Sequence, residues 1–137
     1  MNIVTSTLLP QSNHVVFFVG SLAPEELDDY LLEDRGQKHG GYASRFSFDL
    51  RRFYDHDFIS AQASPKPVQL SELIAAHNLG DEKLGLEMQR RFGASVLLRC
   101  FILLWNYVPT SIFPSAFCAG RLLFVDDWEW DAPFSDD

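Results

Sequence analysis

The stretch VLLRCFILLWNY, Val96 to Tyr107, decides the fold. Leu98, Cys100, Ile102 and Leu104 alternate with Leu97, Phe101, Leu103, Trp105 and Tyr107, so both faces of an extended chain are apolar here. A strand with one polar face can lie at a surface, whereas one apolar on both faces must be covered on both. The pattern predicts a central strand over about 96–107 between two packed layers. Arg99 alone interrupts it, and a partly buried guanidinium needs a carboxylate, for which Asp126 is the expected partner. The run falls well short of the roughly 20 apolar residues that span a bilayer, so no membrane partner is expected.

Outward from this strand, the flanking segments supply the other elements. Towards the C-terminus, a proline-containing connection from Val108 to Gly120 leads to a last strand over Arg121–Trp130. Towards the N-terminus, Asp81–Phe92 carries Leu84, Met88 and Phe92 on one helical face and ends at Gly93. Before it, Leu70, Leu73, Ile74 and His77 follow a helical period after the punctuation of Ser64-Pro65-Lys66-Pro67. In Arg45–Phe53, Phe46, Phe48 and Leu50 suit a strand while Phe46, Leu50 and Phe53 suit a helix, and the pattern leaves both open. HVVFFVG, His14–Gly20, reads as a buried strand closed by glycine. The helix after it opens at Pro24, has Glu25 and Glu26 at its positive end, buries Leu27, Tyr30 and Leu31, and finds a stop at Gly36.

Together these elements predict an α+β protein: a small, mostly antiparallel sheet whose buried central strand (about 96–107) is packed by three or so helices. At 137 residues this is one domain, 1–137, with a flexible N-terminus (1–12) and C-terminal tail (132–137) expected. A hydrophobic fraction of 47%, with twelve Phe, excludes a disordered chain. MNIVTSTLLPQSN has no basic region ahead of an apolar one, which argues against a secretory signal and for the cytoplasm.

The net charge of −8 argues against sequence-independent nucleic-acid binding, which depends on Lys and Arg neutralising phosphates. Its distribution says more. Glu25–Asp34 holds six acids and no base but Arg35 beyond it, and Asp126–Asp137 holds six acids and no base; the rest has seven acids with all eleven bases. The acidity is therefore confined to the first helix and the last strand with its tail. Along that strand a period of two puts Asp127, Glu129 and Asp131 on one face and Trp128 and Trp130 on the other. Charge runs commonly serve only as solvated faces, but two of them fit a recognition surface for a basic protein.

Catalytic signatures are missing: the chain has no GxSxG, no Walker loop and no HExxH, and no cofactor is expected. Cys100 and Cys118 lack metal spacing, and Cys100 reads as a core residue. Asp55-His56-Asp57 is the one dense group of ligand-type residues. Consecutive side chains point different ways, so a turn packed by Tyr54 and Phe58 competes with a metal or acid–base site.

Four motifs resemble the immunity protein 22 family of bacterial polymorphic toxin systems: HVVFFVGSL, EELDDYL, SRFSFDLRRFYDHDF and FILLWNY, in that order between Val15 and Tyr107 or just outside it. Phe17-Phe18 replaces a Trp-containing strand and Ser21 an Asn found in the family pattern. The resemblance implies an α+β toxin inhibitor without catalytic residues, acting by stoichiometric occlusion of a cognate and basic toxin. The residues expected to meet that toxin are Glu25, Glu26, Asp28, Asp29, Tyr30 and Glu33 of the first helix; Tyr54, Asp55 and Asp57; and Asp126, Asp127, Trp128, Glu129 and Asp131. Two other readings stay open: a small metal-binding or hydrolytic enzyme using Asp55, His56, Asp57 and the late carboxylates, and a general interaction adaptor.

Overall fold

The computed structural model describes residues 8–33, 44–50, 58–77, 81–93, 95–109 and 118–130. Four antiparallel strands, β1 (Leu8–Gly20), β2 (Ile59–Gln69), β3 (Leu97–Pro109) and β4 (Leu122–Glu129), form one sheet in the order β2-β3-β1-β4. Among the described residues four helices accompany it: α1 (Pro24–Leu31), α2 (Arg45–Leu50), α3 (Leu70–His77) and α4 (Glu82–Phe92). This is the expected α+β architecture, with β3 in the interior.

The double apolar alternation has its predicted consequence. On one face Val16, Phe18, Ile102 and Leu104 meet Leu27 and Tyr30 of α1 and Phe46 and Leu50 of α2. On the other, Val15, Phe17, Phe101, Leu103 and Trp105 meet Leu70 and Leu73 of α3 and Leu84 and Met88 of α4. The aromatic content tightens the first layer: Phe18 meets Phe46 edge-to-face with ring centroids 5.3 Å apart.

The competition over Arg45–Phe53 resolves to a helix as far as Leu50. Phe46 and Leu50, four apart, are buried while Phe48 is exposed, the period of a helix rather than a strand. Strand β2 carries no signal of its own, since ISAQAS is small and weakly apolar; it exists because it pairs with β3 from Ile59↔Leu104 to Ala63↔Cys100. Strand β1 begins at Leu8, inside the segment expected to be flexible, because Leu8–Pro10 pair with Tyr107–Pro109. The register slips between Pro10 and Val15, and Asn13 (φ 63°) and Asn106 (φ 66°) take the left-handed conformations the break requires. Asn is among the few side chains that tolerate them.

Gly20 closes β1 for a steric reason. A Cβ there would lie 2.2 Å from the Arg121 carbonyl oxygen, so only glycine lets the start of β4 approach. Contrary to the expected Asp126 pairing, Arg99 donates to the carbonyls of Ser64 (3.3 Å) and Pro65 (2.6 Å), and Asp126 is taken by Arg91. Those carbonyls are free to accept because β2 leaves its ladder with β3 between Ala63 and Val68.

Candidate partner-binding surface

The acids of α1 divide by role. Ala23, the N-cap, has no side-chain acceptor, so Glu26 reaches back and accepts from the Ala23 amide at 2.9 Å. The same carboxylate takes a forked bond from Arg121, at 2.6 and 2.7 Å, joining α1 to the start of β4. The Arg121 guanidinium and then the Ala23 amide bring the Glu26 pKa down to about 2. Glu26 is thus a structural acid.

Glu25, Asp28 and Asp29 face solvent, as does Glu33 beyond the helix end. Leu27 and Tyr30, on the opposite side, are buried. Glu25 suits the positive end of the helix, but Asp28 and Asp29 occupy its second half, where no basic residue lies in the last turn. Negative charge there opposes the helix dipole by roughly 0.3–1 kcal/mol. Helix stability does not account for these two aspartates.

Strand β4 bears its acids on alternating faces. Asp126 faces the α4 layer and accepts from Arg91 Nη1 at 2.6 Å. Arg91 also stacks 4.3 Å above the Trp128 ring, and Trp128 meets Phe17 edge-to-face at 6.0 Å. Asp81 caps α4 by accepting from the Leu84 amide, and its other oxygen accepts from the Trp130 indole at 2.9 Å. These two contacts, one at each end, lay α4 antiparallel to β4. The indole bond is the chief cause of a lowered Asp81 pKa. Asp127 faces the other way, towards His14, whose Nε2 donates to it at 2.8 Å. Glu129 is exposed.

No family model, curated protein or solved structure matches this chain. Two expected aromatic anchors are interior residues: Tyr30 is 1% exposed with its hydroxyl donating to Asp49 at 2.6 Å, and Trp128 is 7% exposed. Burial and the Asp49 bond both raise the Tyr30 pKa. Tyr54, Asp55, His56, Asp57 and Asp131 lie outside the described residues. Of the expected set, the structure leaves Glu25, Glu26, Asp28, Asp29, Glu33 and Glu129 on the outside, Glu26 with its carboxylate bound to Arg121. The Glu26–Arg121 and Asp126–Arg91 links join positions far apart in sequence, and no periodicity foretells them.

Burial pushes the Cys100 thiol up to about 11 and raises that of Cys118 as well, which keeps both protonated and weakly nucleophilic. His14 is buried with Asp127 on one nitrogen, and among the described residues nothing bonds its Nδ1. Nor do any three His, Cys, Asp or Glu among them gather as a metal site. No helix among them is long and apolar enough to cross a membrane. What the exposed groups can do is attract and orient a positively charged surface.

Proposed function

We propose that this chain is a cytoplasmic immunity protein that binds one cognate, basic toxin and neutralises it by stoichiometric occlusion. The observation that carries the reading is the outward acidity of Asp28 and Asp29 on α1. Asp28 and Asp29 sit where they oppose the helix dipole, and a partner rich in Lys and Arg gives them a purpose. The motifs HVVFFVGSL, EELDDYL and FYDHDF, which resemble the immunity protein 22 family, support it independently. Electrostatic steering would speed encounter, and desolvated contacts at the centre of the interface would hold the complex.

The test is neutralisation by co-expression with the product of the adjacent reading frame, together with titration calorimetry of the two purified proteins. A one-to-one complex is expected, and with Asp28→Lys and Asp29→Lys combined, association should slow by about tenfold at low salt. An adjacent product that is neither bound nor neutralised would remove the reading.

A further inference from the structure

The two outer strands of the sheet are guarded in different ways. Strand β2 breaks between Ala63 and Val68, where Ser64-Pro65-Lys66-Pro67 bulges out of register. Prolines offer no N–H and a bulge bends the edge away, so β2 refuses a further strand. Strand β4 runs from Leu122 to Glu129 without proline or lysine. It pairs with β1 along one side, and among the described residues no strand pairs with the other.

The two ends of this open edge differ chemically. Beside Leu123, at the end of the sheet, lies a mainly apolar cleft of about 320 Å³ that reaches across all four strands, bounded by Val19, Pro67, Leu97 and Leu98 and by Phe92 of α4, with Arg99 and Arg121 also in its lining. Leu97 and Leu123 are 59% and 45% exposed, a solvated pair of large apolar side chains at the cleft. Towards the other end stand Asp127, whose side chain is 28% exposed, and the exposed Glu129.

Charge decides the occupant. Asp126 is matched by Arg91, but two copies joined antiparallel through the middle of β4 would bring their Asp127 carboxylates, each bonded to His14, together near the two-fold axis, and parallel pairing would set Asp127 and Glu129 beside their own copies. Like charges so placed destabilise a strand pair, whereas Lys and Arg placed there stabilise it. We infer that the outer edge of β4 docks an extended basic segment of a partner protein. The segment adds as a fifth strand, with an apolar side chain in the Leu123 cleft and Lys or Arg beside Glu129. This rests on the proposed function and adds to it the surface and the mode of binding.

Hydrogen exchange on the full chain, alone and with the product of the adjacent reading frame, tests it. Amides within Leu122–Glu129 should gain protection on binding, and Glu129→Lys and Leu123→Ser should each weaken the complex by about tenfold while melting like the parent. Binding that protects other segments only, with both variants at parental affinity, overturns the docking edge and leaves the toxin reading standing. If the adjacent product neither binds nor is neutralised, the toxin reading falls and takes this partner with it.

Discussion

The edges of the sheet hold themselves in place by opposite means. β2 is held by backbone: Arg99 pins the Ser64 and Pro65 carbonyls, and Val68 and Leu70 pack where the strand resumes and passes into α3. β4 is held by side chains: Trp128 against Phe17 and under Arg91, Trp130 on Asp81, and Asp126 on Arg91. An edge anchored through its side chains keeps its outer backbone groups available, and one closed by proline does not. The difference separates a strand that ends a sheet from one that can be extended.

Side-chain anchoring makes the largest prediction. Trp128→Ala should cost about 3–5 kcal/mol, whereas Val68→Ala on the opposite edge should cost only about 1–2 kcal/mol. Chemical denaturation of both variants compares them directly, and equal losses would abolish the contrast. Next comes the approach of β4 to β1 at Gly20. Gly20→Ala sets a methyl group against the Arg121 carbonyl and should cost about 1–3 kcal/mol. A melting temperature unchanged by Gly20→Ala would show that the two strands can part there without loss.

The two edges also differed in how far the sequence announced them. β3 and β4 were legible because FILLW and VDDWEW show their faces by alternation. β2 was not, for Ser60, Ala61 and Ala63 owe their strand to β3 across the ladder. Six residues of Arg45–Leu50 satisfy both periods, and only the burial of Phe46 and Leu50 selects the helix. In the candidate surface, the exposed acids of α1 followed from the spacing of Leu27 and Tyr30. The same spacing gave the burial of Tyr30, but nothing in the sequence excluded Tyr30 or Trp128 as an anchor, since an aromatic side chain suits either setting and Asp49 and Arg91 reach them across the fold.

A subtler comparison concerns the guards themselves. Replacing Pro65, Lys66 and Pro67 of β2 by Thr, Val and Thr should change stability by no more than about 1 kcal/mol, but restore donors and an apolar face to that edge. Sedimentation velocity should then show self-association that the parent lacks at the same concentration. A variant that stays as dispersed as the parent would mean that Arg99 and the bulge close the edge without the prolines.

The smallest effect, at the start of β4, depends on pH. Arg121 and the Ala23 amide favour ionised Glu26 in the folded state and bring its pKa to about 2, below its ordinary value of 4.5. Unfolded chain therefore binds this proton more readily, so the link contributes stability fully above the ordinary value and loses it as pH falls towards 2. Because the pair is solvent-exposed, salt screens it and the contribution is modest. Glu26→Gln should lower the melting temperature slightly at pH 7 and flatten its decline between about pH 5 and pH 2 relative to the parent. Identical slopes for the two proteins over that range would show that Arg121 holds β4 to α1 through its bond to the Ser21 carbonyl, at 3.0 Å, and not through the carboxylate.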